Sequence, residues 1–277
     1  MNTIIRKVFY LTPVQLRYSL RRLLYLPQDL FRKKHPLEPP KGMIFTGTGN
    51  YLETGRQFFS HFKKLGDITP QSHILDIGSG IGRMAVPFTE YLSAEGRYDG
   101  FDIVKQGVDW CIENITTRFP NFRFKLIPLR NELYNLETKE VASDLRFPYP
   151  DENFDFIFLT SVFTHMLPAD VENYIAEINR VLKKGKKCLM TFFILDQESE
   201  TAMLLKGEKK FRHHLGHYSL MDKSVKEANV AYQKEYILGL FKKNGFEITN
   251  FIRGNWSGLE RGDDNQHQDI FIIKKTI

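Results

Sequence analysis

Cysteine is scarce in this chain: there are two in 277 residues, Cys111 and Cys188, each inside an apolar pattern. That excludes a disulfide framework and fits a reducing compartment. No apolar run approaches the ~18–20 residues of a membrane span. The N-terminus has no apolar stretch leading to a small-residue cleavage site. A cytoplasmic protein is therefore expected. Positive charge is also missing where a nucleic-acid binder would need it. Residues 1–42 hold Arg6, Lys7, Arg17, Arg21, Arg22, Arg32, Lys33, Lys34 and Lys41 against Asp29 and Glu38, a net +7. The whole chain is +6, so residues 43–277 carry −1. A body without excess positive charge grips a long polyanion poorly, and no nucleic-acid partner is expected.

What is present is an ordinary globular composition, 42% hydrophobic and 26% charged, with enough chain to bury a core unaided. Two parts are expected: residues 1–42 as a basic amphipathic arm and linker, and 43–277 as the main domain. In the arm, Thr12-Pro13-Val14-Gln15 reads as a capping box with proline at the first helical position. Leu16, Leu20, Leu23 and Leu24 share one face, Arg17, Arg21 and Arg22 fall outside it, and Pro27 marks the expected end. Two placements follow. Either the leucines dock on the body with the arginines in water, or the helix lies peripherally on an anionic membrane.

From Tyr51 onward helical and strand patterns alternate. Helices are expected at 51–65, 83–93, 104–118, 169–182 and 231–243, and strands at 73–77, 98–103, 122–127, 154–160, 187–195, 246–253 and 269–274. Such alternation argues for a doubly wound α/β sheet, mostly parallel and covered on both faces, with ligands at the carboxyl ends of its strands. The sharpest feature is His73-Ile74-Leu75-Asp76-Ile77-Gly78-Ser79-Gly80-Ile81-Gly82-Arg83, an apolar strand entering three alternate glycines. The third glycine of a dinucleotide fingerprint would fall at Arg83, which disfavours NAD. Asp76 stands inside an apolar run, where an acid is costly unless it meets water or a cationic ligand group. Asp102 ends the next strand, where a carboxylate can accept both hydroxyls of a ribose.

These segments, with Phe147-Pro148-Tyr149-Pro150-Asp151-Glu152-Asn153-Phe154-Asp155, resemble the class I S-adenosylmethionine (SAM)-dependent methyltransferases. A bacterial subgroup of unassigned acceptor is suggested by Thr160-Ser161-Val162-Phe163-Thr164-His165-Met166-Leu167 and by Trp256-Ser257-Gly258 followed by Gln268-Asp269. The resemblance implies a seven-stranded sheet with the last strand antiparallel, and SAM as cofactor. It implies cofactor contacts from Asp76, Gly78, Ser79, Gly80, Gly82 and Arg83, from Asp102 and Ile103, and from Thr160. Where the family often has an acid facing adenine, this chain has Pro128, so the adenine contact falls to backbone or to Asp144.

The expected reaction is methyl transfer to a small molecule, with a sugar or lipid-linked hydroxyl as the acceptor class. A nicotinamide-dependent oxidoreductase and a non-catalytic SAM-binding scaffold are the alternatives. His165, just past the fourth strand, is either a general base or a packed residue capping the loop before Pro168. His213, His214 and His217 cluster, and on a helix His213 and His217 would share one face and could ligate zinc. No nearby Cys completes a site, however, and Lys209, Lys210 and Arg212 would repel a cation, so no metal is expected. Residues 196–231 form the expected lid over the acceptor, and Tyr232 and Trp256 either line that pocket or pack in the core.

Overall fold

The computed structural model describes residues 12–32, 35–45, 47, 49–206, 210–259 and 266–277. Arg6, Lys7, Lys33, Lys34 and Lys209, which entered the charge arguments, lie outside the described residues. The elements are α1 (Val14–Phe31), α2 (Tyr51–Leu65), β1 (His73–Ile77), α3 (Ala85–Thr89), β2 (Arg97–Asp102), α4 (Lys105–Cys111), β3 (Phe122–Leu126), β4 (Phe154–Leu159), α5 (Pro168–Val181), β5 (Leu182–Phe192), β6 (Ile194–Leu195), α6 (Gln197–Leu205), β7 (His213–His214), β8 (Tyr218–Leu220), β9 (Val230–Gln233), α7 (Lys234–Lys243), β10 (Phe246–Ile252) and β11 (Asp269–Lys275).

Seven strands make the main sheet in the order β10-β11-β5-β4-β1-β2-β3. The pairs from β5 to β3 are parallel, and β11 runs antiparallel to both its neighbours. Strand order reverses between β1 and β4, and the crevice beyond their carboxyl ends is where such sheets bind ligands. Period-2 alternation splits each strand between two cores. Leu75, Ile77, Ile157 and Leu159 face α5, with Val171, Tyr174 and Ile178. Ile74, Tyr98, Phe156 and Phe158 face α2 and α3, with Tyr51, Phe62 and Phe88. Apolar residues on both faces explain why these strands read as continuous apolar runs.

Several expectations are corrected. The helix expected at 83–93 contracts to α3, which holds Pro87. Residues 231–233 belong to β9, and the helix starts only at Lys234. The described part of segment 196–229 is not an open loop. It supplies α6, β7 and β8, and the latter two join a second sheet ordered β6-β9-β8-β7. His213 and His214 are therefore on a strand, not a helix. His214 pairs with the Ser219 hydroxyl at 2.9 Å, while His217 stacks on Tyr236 at 3.9 Å.

The arm departs furthest. No side chain caps α1 at Pro13, and the helix runs through Pro27 to Phe31. Pro27 lies on the exposed face, where water can satisfy the carbonyl its missing N–H leaves. Leu16, Leu20, Leu23 and Leu24 do not dock on the body; all are exposed. Polar and aromatic side chains hold the helix instead. Arg17 donates to the Leu133 carbonyl at 3.2 Å and Arg22 to Gln106 at 2.9 Å. Tyr18 meets the Phe45 ring at 5.7 Å. The Asp29 carboxylate accepts from the Lys41 and Gly42 amides at 2.6 and 3.0 Å. A side chain at Gly42 would strike the backbone of Arg22, so this close approach needs glycine.

Candidate active site

The loop after β1 turns through Gly78, Gly80 and Gly82 at φ of 76°, 57° and 80°, values that L side chains avoid. Its surroundings also require small residues. A Cβ at Gly78 would lie 2.4 Å from Val162, and one at Gly107, in α4, 2.2 Å from the Gly80 carbonyl oxygen. The glycine loop is thus wedged between the segment after β4 and the start of α4. Asp102 braces it: one carboxylate oxygen accepts from the Gly80 amide at 2.7 Å, the other from the Val104 amide at 2.8 Å. Burial pushes the Asp102 carboxyl up, and the amides of Val104, Gly80 and Ile103 oppose that.

Asp76 is 1% exposed and accepts a hydrogen bond from the Tyr98 hydroxyl at 2.5 Å. Burial lifts its carboxyl to about 8, although the Tyr98 bond works against the rise and the nearby Asp102 charge adds to it. A carboxylate in such a place needs a cation to stay ionised. Arg83, also buried, lies under Gly47 and over the Tyr51 ring, with desolvation lowering its pKa. The Ser79 hydroxyl is buried with no hydrogen-bond partner among the described residues. Glycine cradle, acid, cation and orphaned hydroxyl together offer donors and acceptors that could take an amino-acid-bearing nucleoside. Ile103 stands half-buried just after Asp102.

Beyond β4 the half-buried Thr160 leads into Ser161, which adopts φ of 59°. The Ser161 amide donates to the Thr191 hydroxyl at 2.7 Å and its hydroxyl to Gln268 at 3.0 Å. His165 follows on a short helical turn. Its Nδ1 lies 3.0 Å from the Glu227 carbonyl, an acceptor, so Nδ1 carries the proton and Nε2 the lone pair. Burial lowers the His165 pKa, against the carbonyls of Glu227 and Ala228, which raise it. The Tyr134 ring meets the imidazole edge-on at 5.7 Å, Phe45 meets Tyr134 at 6.5 Å, and Tyr18 of α1 meets Phe45. A row of aromatic rings therefore runs from the arm to His165. The Glu227 carboxyl, accepting from the Glu132 amide at 2.5 Å, is lifted by burial to about 7.

Phe45, Tyr134 and Glu227 carried no sequence signal, because each arrives from a separate irregular segment. The remaining candidates lie elsewhere. Asp144 is exposed on a turn beside α5, and no contact among the described residues joins it to the glycine loop. Tyr232 is fully buried and donates to the Met166 carbonyl at 2.6 Å; it packs in the core. Trp256 packs between Phe193 and Phe211. Its indole N–H reaches Asp269 at 2.7 Å, and the same carboxylate takes the Ile194 and Gly254 amides at 2.8 Å each. The pattern from Trp256 to Asp269 is thus a clamp joining the second sheet to the first.

Residues 75–190 match the family described as "Methyltransferase domain". That segment is similar to this family, and the sheet that holds it has the class I methyltransferase type of fold. Sequence relatives include phosphoethanolamine N-methyltransferase 2 of Caenorhabditis elegans, 26% identical over 152 residues, which are 55% of this chain and 30% of that protein. An uncharacterized methyltransferase of Anoxybacillus flavithermus is 27% identical over 41% of this chain and 63% of its own length. The chain thus spans less than two thirds of these curated relatives. In fold, the domain is similar to the PH0226 protein of Pyrococcus horikoshii, with a TM-score of 0.57 at 16% identity over 84% of this chain and 95% of that one. It is also similar to 1,6-didemethyltoxoflavin-N1-methyltransferase of Burkholderia thailandensis, solved with 1,6-didemethyltoxoflavin and S-adenosylhomocysteine. That likeness has a TM-score of 0.52 at 16% identity and covers 96% and 92% of the two chains.

Proposed function

We propose that the protein is a SAM-dependent methyltransferase acting on a small molecule, with a sugar or lipid-linked hydroxyl as acceptor. The reading is carried by one observation: the triple-glycine loop at the β1/β4 crevice, flanked by buried Asp76 and Asp102. Bound SAM supplies an electrophilic methyl on a sulfonium. The chain's part is to align, to shield from water and to take a proton. Asp76 meets the ammonium end of the ligand and Arg83 its carboxylate. Ser79 and the glycine amides cradle the methionine portion, and Asp102 accepts the ribose hydroxyls. Ile103 offers an apolar surface to adenine, with backbone completing that contact in place of Asp144. On the acceptor side, His165 stays neutral at pH 7 with Nε2 ready to accept a hydroxyl proton. The segment 196–231 closes the site through Glu227. A second reading, an amine acceptor, is favoured by the Glu227 and Glu132 carboxylates, which suit a cation.

Titration calorimetry with SAM, S-adenosylhomocysteine and NAD tests the class: heat with the first two and none with NAD is expected, and NAD binding alone would replace the reading with an oxidoreductase. Asp102→Ala should weaken SAM by ~1–3 kcal/mol, the worth of a charge-assisted pair of hydrogen bonds. Unchanged affinity would remove Asp102 from the ribose site.

A further inference from the structure

On a 3.6-residue wheel, α1 has two unlike faces. The inner one carries Tyr18, Arg21, Tyr25 and Asp29 and holds the body. The outer one carries Leu16, Leu20, Leu23, Leu24, Leu30 and Phe31, and no residue of the helix is buried. Leu24 is 74% exposed and Phe31 89%. A helix seated by its polar side with its leucines in water is inverted relative to an ordinary surface helix, and an apolar face of this size marks an interaction site. Three features decide the occupant. The apolar arc is about twice as wide as the two-residue seam of a coiled coil, and Pro27 lies in it, which spoils pairing with a second copy. Arg22 stands exposed at one border of the arc, where a long cationic side chain can reach an interface while leucines sink below it. The net +7 of residues 1–42 on a chain otherwise at −1 would repel a second arm and attract an anionic surface.

We infer that α1 seats the protein on an anionic phospholipid bilayer, with its leucine face inserted and its polar face still holding the body. The helix packs through Tyr18 and Phe45 onto the aromatic row that ends at His165, so the bilayer comes to lie beside the acceptor side of the cleft. This deepens the lipid-linked reading above, but it rests on α1 alone.

The test is co-sedimentation of the full chain with phosphatidylcholine vesicles, with and without phosphatidylglycerol. Binding to the anionic vesicles should exceed that to neutral ones at least ~10-fold and should weaken as salt shortens the ~8 Å screening length. Leu20→Ser with Leu24→Ser should lower anionic binding by ~100-fold. The melting temperature and S-adenosylhomocysteine affinity should hold, since both leucines face outward. Phe31→Ser, at the end of the helix, should lower it by ~10-fold. Equal binding by wild type and the double variant overturns the proposal, as does equal binding to neutral vesicles. A wild-type dimer that the same substitutions turn into a monomer, with no vesicle binding by either, would assign the face to a second copy instead. Cofactor affinity is read separately, so failure here and failure of the methyltransferase reading remain distinct.

Discussion

Asp76→Asn is expected to weaken SAM binding by ~10²–10⁴-fold, because removing one partner of a buried charge pair leaves the other uncompensated at ~3–5 kcal/mol. The same substitution should make the ligand-free protein more stable at pH 8. The sign follows from the raised carboxyl. Folded Asp76 titrates at about 8 against an ordinary 3.8, so the folded state holds its proton more tightly. The contribution is fully present below about pH 4 and is lost as pH rises to 8. Asparagine removes that loss. Binding a cationic ligand at pH 7 requires the proton to leave, so wild-type affinity should rise close to tenfold per pH unit between 6 and 7. Calorimetry in buffers of different ionisation heat should show one proton released, and none for Asp76→Asn. A variant that binds SAM like the wild type, or wild-type binding that releases no proton, would separate Asp76 from the ligand's amine.

The second large effect concerns turnover. His165→Ala should lower the rate by ~10²–10⁴-fold, the contribution of a positioned general base, with SAM affinity near wild type. The low pKa of His165 has a direct consequence: the imidazole is neutral at pH 7, and the rate should fall only as pH drops below its depressed value. If His165 only orients the Glu227 and Ala228 backbone, the substitution would instead lower the melting temperature and leave turnover per folded molecule unchanged. Both quantities can be read on one preparation. An amine acceptor predicts a different profile, in which Glu227→Gln raises KM for the acceptor more than it lowers kcat.

The glycine-loop half of the candidate site was legible because it is local. Asp76, the three glycines and Asp102 fall within 27 residues, and the strand-turn-helix that arranges them is written in consecutive residues. Strand pairing then follows from apolar runs, and the expected 73–77 strand and 51–65 helix coincide with the structure. The cluster around His165 was not legible in the same way. Phe45, Tyr134, His165 and Glu227 come from four distant segments, and nothing in their spacing says that they meet. Which face of the arm meets the body was not legible for a related reason. Periodicity identifies an apolar stripe but not what covers it, and here the Asp29 cap and the Arg17 and Arg22 contacts choose the opposite face. Tyr232 and Trp256 illustrate the limit of aromatic content as a signal, since a buried hydroxyl or indole N–H with a partner packs as well as any phenylalanine.

The position of β11 bears on how the chain is made. Among the described residues it follows every other strand in sequence, yet it lies inside the sheet between β5 and β10. On the ribosome, the five parallel strands and the whole glycine loop can assemble while 269–275 is still being synthesised. Until those residues emerge, the edge of β5 away from β4 has no partner along 187–192, and the Asp269 clamp on the second sheet has not closed. The five parallel strands and the glycine loop can thus be in place before β11 closes the β5 edge, and that edge is open to other chains meanwhile.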